Sequence, residues 1–129
     1  MYRYEEAPEL LYKLLSERPM ESRISHKAMP SFKKHCAFID SAPYLGWYLV
    51  RFGDEVVGSA YLTKKDEIGI FIFIKSQGNG YSKKALKLLM TRHPRERYLA
   101  NINPQNKKSL KLFSGLGFNQ IQTTFELTT

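Results

Sequence analysis

A chain of 129 residues is predicted to fold as one domain over 1–129, because that length leaves no room for a second core. Hydrophobic residues make up 43% of it and aromatic residues 13%, which excludes a disordered chain, and no long apolar run predicts a membrane span. The net charge of +8 favours an anionic partner. Without zinc-ligand spacing, an RNA-stacking signature or a long basic tail, we expect neither a metal nor nucleic acid as a partner.

The N-terminal third predicts two helices. A stripe of leucines gives Glu5–Arg18 one apolar side, and Pro19 ends that helix. Residues 21–29 show no period and are predicted to form a loop. Ser31 can then cap a second helix, Ser31–Asp40. The apolar side of this second helix is expected to carry Phe32, Cys36 and Ile39.

A predicted hairpin and an apolar strand come next. Trp47–Phe52 and Glu55–Leu62 are expected to pair as a hairpin, because Gly53-Asp54 between them is a favourable turn sequence. Ile68–Ile74 is then continuously apolar, with many β-branched and aromatic residues. That pattern indicates a strand covered on both faces.

A polar turn with two glycines, residues 75–80, follows this strand and leads into an amphipathic helix that reaches Met90. The start of a helix offers free N–H groups and about half a positive charge, and both attract phosphate. Lysines surround the turn and a later helix, at positions 75, 83, 84, 87, 107, 108 and 111. The pattern therefore predicts a site for a cofactor with several phosphates.

The remainder predicts a strand over Tyr98–Ile102, a helix over Asn106–Ser114 and a closing strand over Phe118–Leu127. The helix between Ile68–Ile74 and Tyr98–Ile102 acts as a crossover, which makes those two strands parallel, whereas the hairpin is antiparallel. The predicted fold class is therefore α/β of the α+β kind. Its central sheet is mixed and mostly antiparallel, and it is flanked by about four helices.

The glycine turn resembles the pyrophosphate loop of the GCN5-related N-acetyltransferase (GNAT) family, whose pattern is Gln/Arg-x-x-Gly-x-Gly/Ala. Gln77 and Gly80 match this pattern. Ser82 stands where glycine or alanine is usual, and serine is also small.

Residues 106–118 are similar to a second signature of the same family, Asn-x-x-Ala-x-x-x-Tyr-x-x-x-Gly-Phe. Asn106 and Gly117-Phe118 match at full spacing. Ser109 replaces a small residue, and Phe113 replaces the usual tyrosine. With both motifs in the right order, the resemblance covers the chain from about Trp47 onwards.

The resemblance implies the GNAT fold, in which a splayed pair of strands holds acetyl-CoA for transfer of its acetyl group to a primary amine. In such a fold the loop N–H groups bind the pyrophosphate; here the loop is Gln77, Gly78, Asn79, Gly80, Tyr81 and Ser82. The main chain of Ile72, Phe73 and Ile74 is expected to pair with the pantetheine arm and to polarise the thioester carbonyl. Asn106, Ser109 and Phe113 are expected to line the same cofactor.

Catalysis needs a base for the amine and a proton for the leaving sulfur. Glu67, at the start of the central strand, is the predicted base, and His26 and His35 are its rivals. Phe113 has no hydroxyl, so the sulfur either takes a proton from another donor such as water or leaves as the thiolate. His93 lies between charged residues and is predicted to be surface.

The acceptor site is expected in the N-terminal third, with Arg23, His26 and His35 as candidate contacts. The run around His35 is similar to acetyltransferases that modify nucleotide-linked amino sugars, which suggests a small-molecule amine. A protein N-terminus, as in the ribosomal-protein acetyltransferases, is the alternative acceptor. A catalytically weak acyl-CoA-binding module is a third reading, and a homodimer is left open. Cys36 is the single cysteine, which predicts a reducing cytoplasm.

Overall fold

The computed structural model describes residues 7–17 and 29–129. Four helices and three strands follow one another along these ranges. They are α1 (Ala7–Glu17), α2 (Phe32–Asp40), β1 (Gly46–Phe52), β2 (Glu55–Leu62), β3 (Ile68–Ile72), α3 (Tyr81–Arg92) and α4 (Lys107–Gly115). A short 3₁₀ turn, Ile74–Ser76, separates β3 from the glycine loop. Within the described ranges, no helix is both long and apolar enough to cross a membrane.

The three strands form an antiparallel sheet in the order β1-β2-β3. The predicted hairpin is confirmed, with Phe52 opposite Glu55 and Gly53 in the left-handed region at φ 62°. The predicted strand Tyr98–Ile102 is present only as a single parallel bridge between Glu67 and Leu99. The predicted mixed sheet is thus recovered with its parallel part reduced to that bridge.

The sheet has a hydrophobic cluster on each face. On one face, Ile68 of β3 packs with Leu86 and Leu89 of α3 and with Phe113 of α4. On the other face, Phe73 packs with Leu11 and Leu14 of α1 and with Ile39 of α2. Both faces of the apolar strand are therefore covered, as its composition predicts.

Local sequence explains how α2 and α4 begin. The Ser31 hydroxyl accepts from the Lys34 N–H at 3.2 Å, and the Asn106 side chain accepts from the Ser109 N–H at 3.2 Å. Each side chain satisfies a backbone donor that the first helical turn leaves without a partner. The buried side of α2 is formed by His35 and Ile39 rather than by Phe32, which is 40% exposed.

A left-handed glycine ends α4. Gly117 has φ 95°, its N–H donates to the Ser114 carbonyl at 3.0 Å, and the Phe118 N–H donates to the Phe113 carbonyl at 3.0 Å. This pair of bonds is a Schellman cap, and the Phe113 and Phe118 rings meet edge to face at 5.1 Å. The Gly-Phe pair of the second motif therefore fixes the end of the helix.

The predicted closing strand Phe118–Leu127 is wrong for the chain as the structure describes it. Residues 118–129 are assigned to no strand, and Ile121, Phe125 and Leu127 are 72%, 90% and 88% exposed. The alternation of apolar and polar residues that suggested a strand is present, but the segment pairs with no strand of the described chain.

Candidate active site

The outer edge of β3 carries the first part of the site. The Phe73 N–H donates to the Val57 carbonyl at 2.8 Å, and the Thr63 N–H donates to the Glu67 carbonyl at 2.8 Å, so odd-numbered residues of β3 direct their main chain toward β2. Even-numbered residues therefore direct theirs to the opposite edge. Ile70 and Ile72 lie on that edge, and no β-strand of the described chain pairs with it beyond the Glu67–Leu99 bridge.

Because of this alternation, the main-chain groups of Ile72, Phe73 and Ile74, which the sequence suggested as the partners of pantetheine, do not all face the same edge of β3. The Phe73 N–H is already bonded to β2, and the Ile74 N–H donates to the Glu17 carboxylate at 2.8 Å. Ile72 lies on the outer edge, where its carbonyl accepts from the Gln77 side chain at 3.1 Å. Ile70, two residues earlier, is the outer-edge position that the sequence analysis missed.

A narrow cleft opens where β3 and the segment after Leu99 diverge. The two are held together at one end by the Ile68 N–H, which donates to the Leu99 carbonyl at 2.7 Å, and by the Leu99 N–H, which donates to the Asp66 carbonyl at 2.8 Å. Beyond this point they separate around a cavity of about 40 Å³. Its lining includes Ile70, Tyr61, Asn101, Asn106, Ser109 and Phe113.

The glycine loop forms the end of the site beyond β3. Gly78 and Gly80 have φ 83° and 77°, and Gly80 immediately precedes α3 without a side-chain cap. The first backbone bond of α3 is from the Lys84 N–H to the Gly80 carbonyl, so the preceding N–H groups of the helix point outward without backbone acceptors. Asn79 shapes the loop, because its side chain donates to the Ser76 carbonyl at 2.9 Å.

The second motif brings one side of α4 to the cleft. Asn106, Ser109 and Phe113 all line the cavity, as their helical spacing implies. The Asn106 Oδ1 atom caps the helix, whereas its Nδ2 group donates to no residue in the described ranges and remains able to bind a carbonyl. Phe113 is 5% exposed, so its ring closes the inner end of the cleft and also belongs to the core.

Glu67 lies at the point where β3 and the next segment separate. Its Oε2 atom accepts from Asn101 Nδ2 at 2.6 Å, and its Oε1 atom accepts from the Thr63 hydroxyl at 3.2 Å. Asn101 itself lines the cleft. The carboxylate is thus fixed beside a residue that lines the cleft, and it still has lone pairs that can accept a proton.

Tyr61 supplies a phenol ring to the cleft, and neither sequence motif includes this residue. It lies opposite Gly69 in the sheet register, and a Cβ atom at position 69 would overlap its ring. Its other side stacks on Tyr44, with ring centroids 4.4 Å apart and planes 11° apart. The signal in the sequence was Gly69, because a glycine inside a strand often marks the close approach of another group.

The histidines have different environments from those expected. Arg23 and His26 lie outside the described residues. His35 is 7% exposed between α1 and α2, where it donates to the Pro8 carbonyl, and it lines neither of the two cavities described here. Burial lowers the pKa of the His35 imidazole, and the Pro8 hydrogen bond opposes this effect.

His93 is not a plain surface residue. It contacts the Tyr48 hydroxyl at 2.6 Å through Nε2 and caps the end of α3. Its pKa is lowered mainly by burial and further by the nearby Arg95 and Arg92.

A larger cavity of about 340 Å³ lies between β1 and α3. Its floor includes Val50 and Leu89, and Arg51, Lys84 and Arg92 contribute to its rim. It contains neither the outer edge of β3 nor any residue of α4. Tyr81 of the glycine loop lines this larger cavity, whereas the second motif and Asn101, the hydrogen-bond partner of Glu67, line the smaller cleft. The smaller cleft is therefore the candidate active site.

The sequence over residues 9–118 matches the Acetyltransferase (GNAT) family, and the chain belongs to that family. It is an acetyl-CoA-dependent N-acetyltransferase of the GNAT type, which replaces the reading as a weak acyl-CoA-binding module. No curated protein matches the sequence.

Solved structures show the same fold at low sequence identity. A domain from Methanocaldococcus jannaschii DSM 2661 has a TM-score of 0.81 at 21% identity, covering 98% of this chain and 90% of that one. YncA, a putative acetyltransferase from Salmonella typhimurium with its cofactor acetyl-CoA, has 0.70 at 17%, covering 92% and 77%. Ribosomal-protein-alanine N-acetyltransferase from Brucella melitensis has a TM-score of 0.72 at 16% identity, covering 95% of this chain and 85% of that one.

Proposed function

We propose that this acetyltransferase modifies the primary amine of a nucleotide-linked amino sugar, and that the reaction takes place in the cleft between β3 and α4. The observation that carries the location is that Ile70, Tyr61 and the second motif line one cavity together with Asn101, which donates to the Glu67 carboxylate. The nature of the acceptor rests on charge and on the aromatic surroundings of the cleft.

The residues present suit acetyl-CoA. The outward N–H groups before Lys84 can bind the pyrophosphate, and Gly80, which has no Cβ atom, leaves that part of the loop free of side-chain atoms. Lys83 and Lys84 on the first turn of α3 add positive charge beside it. The outer edge of β3 offers main-chain groups of Ile70 and Ile72 to an extended amide-bearing arm. Bound acetyl-CoA supplies the acetyl group as a reactive thioester.

Ile70 is the proposed donor to the carbonyl oxygen of the acetyl group. Its N–H lies on the outer edge of β3 and its residue lines the cleft, whereas Ile72 does not line it. A fixed N–H aimed at a developing negative oxygen lowers the barrier without any reorganisation. Ile70 is also only three residues from Glu67, or about 10 Å along a strand.

Glu67 is the proposed base. A protonated amine cannot attack a carbonyl carbon, so a group in the cleft must take up its proton first. The 10 Å from Ile70 is too long for direct transfer to the carboxylate, so the proton passes through at least one water molecule. Asn101 and Thr63 hold the carboxylate in place for this relay.

Tyr61 is the proposed proton donor to the departing sulfur. Phe113 carries no hydroxyl, and among the described residues that line the cleft only Tyr61 and Ser109 do. The Ser109 hydroxyl is a much weaker acid than a phenol. The Tyr44 stack holds the Tyr61 ring over Gly69, beside Ile70, where the bond to sulfur would break.

An anionic acceptor agrees with the charge of the chain. The net charge of +8 attracts a nucleotide diphosphate and repels basic peptides such as those of ribosomal proteins. The aromatic side chains of Phe38, Tyr44 and Trp47 form a contiguous cluster next to Tyr61, and Phe38 is 42% exposed. Such rings can pack against the apolar face of a sugar or a base.

Release of free CoA with matched acceptors tests this proposal. A nucleotide-linked 4-amino hexose is expected to give a higher kcat/KM than the same amino hexose without its nucleotide, and than a basic peptide with a free N-terminus. Added salt should raise KM for the nucleotide-linked acceptor alone, because it screens the attraction. A peptide that reacts faster than the nucleotide-linked sugar would overturn the acceptor assignment.

A further inference from the structure

The larger cavity between β1 and α3 takes no part in the proposed reaction, and we call it the β1–α3 groove. One of its walls is a side of α3 on which Lys84, Leu88 and Arg92 follow one another at helical spacing. The other wall is β1, where Val50 and Phe52 line the cavity. Its volume of about 340 Å³ lies in the range of small-molecule sites.

The walls of the groove are apolar and extend to the surface. Phe52 is 64% exposed and Leu88 is 71% exposed, although both line the cavity. Val50 lies deeper and packs against the core cluster to which Leu89 belongs. Large apolar side chains exposed on both sides of a cavity mark a surface that a ligand can cover. The body of such a ligand should therefore be apolar.

The charged residues that line the groove are all cationic. They are Arg51, Lys84 and Arg92, and no Asp or Glu of the described chain lines it. The Arg51 guanidinium is paired with the Asp54 carboxylate at 3.8 Å. Lys84, on the first turn of α3, is the lysine that we place beside the pyrophosphate. Arg92 is the remaining cation, and it forms no ion pair with another described residue.

The Arg92 side chain has a defined position at the C-terminal end of α3. Its guanidinium lies over the Tyr48 ring, 5.4 Å from the centroid, and the Tyr48 hydroxyl contacts His93 Nε2 at 2.6 Å. A guanidinium on the face of a ring is attracted to it and still has N–H donors in its plane. These donors match the geometry of a carboxylate.

We propose that the β1–α3 groove binds a medium-chain alkyl carboxylate. Its chain lies between Phe52 and Leu88, and its carboxylate binds Arg92. The groove extends for about 12 Å along α3, from Lys84 to Arg92, and for about 13 Å along β1, from Tyr48 to Phe52. Both lengths suit the extended chain of decanoate. An alkyl chain needs no polar partners in the apolar middle of the groove.

Two other occupants fit the groove less well. A second copy of this chain would bring a surface of strongly positive net charge against three cationic side chains. A helix of an acidic partner is about 10–12 Å across, and it needs a longer and wider groove than a cavity of about 340 Å³. A small anion with an apolar chain satisfies both the size and the charge.

The proposed site is separate from the site of acetyl-CoA. Arg92 lies about 12 Å from Lys84 along α3, which exceeds the Debye length of about 8 Å at physiological ionic strength. A carboxylate on Arg92 and a pyrophosphate at the glycine loop can therefore bind together. Saturating CoA thus distinguishes the groove from the cleft, and the proposal does not depend on which acceptor the enzyme uses.

Calorimetry with decanoate, at concentrations too low for micelles, tests the ligand class. Decyltrimethylammonium has the same chain with the opposite charge and should bind at least ~10-fold more weakly than decanoate, and so should butanoate, whose chain is short. Arg92→Gln should weaken decanoate binding by about tenfold or more, because hydrogen bonds to charged groups are the strong ones. Lys87→Gln is the matched control, since this residue is exposed on α3, does not line the groove and carries the same charge.

Leu88→Gln tests the apolar wall and should weaken decanoate binding by about fivefold. Leu45→Gln, at an exposed position outside the groove, should not. Circular dichroism should show all of these variants folded, because the four positions are exposed.

Amide chemical shifts in ¹H–¹⁵N spectra locate the bound decanoate. Those of Val50, Leu88 and Arg92 should move on titration, with or without saturating CoA, whereas those of Ile70 and Asn106 should not. Displacement of decanoate by CoA would overturn the proposal. So would an absence of binding, equal binding of decyltrimethylammonium, or an Arg92→Gln variant that binds as well as Lys87→Gln. A wild-type dimer that Leu88→Gln converts to a monomer would instead assign the groove to a second copy.

Discussion

The side chains of Asn101 and Glu67 are joined by a hydrogen bond of 2.6 Å across the point where β3 and the following extended segment begin to separate. The bond links the two segments whose separation forms the cleft, and Asn101 lines that cleft. Because an amide N–H holds one oxygen of the carboxylate, the other oxygen has a fixed position relative to the outer edge of β3. This relationship leads to the first prediction.

Glu67→Gln is expected to lower kcat by ~10²–10⁴, the usual range for loss of a general base, with little change in the affinity for acetyl-CoA. The amide keeps the shape of the side chain but cannot take up a proton. Activity should recover as pH rises, because more of the acceptor amine is then already uncharged. Initial rates over a range of pH test this, with Glu96→Gln at an exposed loop position as the control. Wild-type turnover in Glu67→Gln at neutral pH would show that the carboxylate is structural.

Gly80→Asp is expected to abolish binding of acetyl-CoA measured by calorimetry. The substitution places a carboxylate and a Cβ atom where the pyrophosphate is proposed to bind, and it also strains a backbone with φ 77°. Gly53→Asp controls for strain alone, because Gly53 has φ 62°, an equally open surrounding and a place in the hairpin turn away from the cleft. If both variants lose stability to a similar extent but only Gly80→Asp loses affinity, the loop holds the cofactor. Equal affinity in the two variants would rule this out.

Tyr61→Phe is expected to lower kcat by at least ~10², because it removes the proposed proton donor and keeps the ring that stacks on Tyr44. Phe113→Tyr alone should change the rate by less than about tenfold, or about 1.4 kcal/mol of barrier, since the wild type already has a donor. In the Tyr61→Phe background, however, Phe113→Tyr should restore part of the lost rate. Single-turnover measurements with saturating acetyl-CoA compare the four proteins. Full activity of Tyr61→Phe would assign protonation of the sulfur to water.

Acid is expected to destabilise the fold through His35. Burial holds the pKa of this imidazole below its usual 6.5, so below that pH the unfolded chain binds a proton that the native chain resists. The free energy of unfolding should therefore fall as pH decreases below 6.5, until the lower pKa of the folded state is passed. Urea unfolding at a series of pH values should show a shallower dependence in His35→Leu. His93→Gln is the control, and its free energy of unfolding should keep the part of the pH dependence that comes from His35. If the pH dependence in His35→Leu equals that of the wild type, His35 is not its source.

Much of the architecture follows from local sequence. The leucine stripe of α1, the serine cap of α2, the Gly53-Asp54 hairpin and the apolar run of β3 each specify their element through periodicity or turn chemistry alone. The two glycine-bearing motifs also determine where a helix starts after Gly80 and ends before Gly117, because a positive φ at those positions favours glycine.

The tertiary structure alone decided which main-chain and side-chain groups meet. Pairing with β2 uses the N–H of Phe73 and leaves Ile70 and Ile72 on the outer edge, and a register of that kind depends on two strands at once. Tyr61 enters the cleft only because it lies opposite Gly69, and Asn101 reaches Glu67 only where two distant segments separate. The alternation in residues 119–127 specified a strand but not its partner, because pairing depends on where the edge of another strand lies in the folded chain, and the structure assigns these residues to no strand.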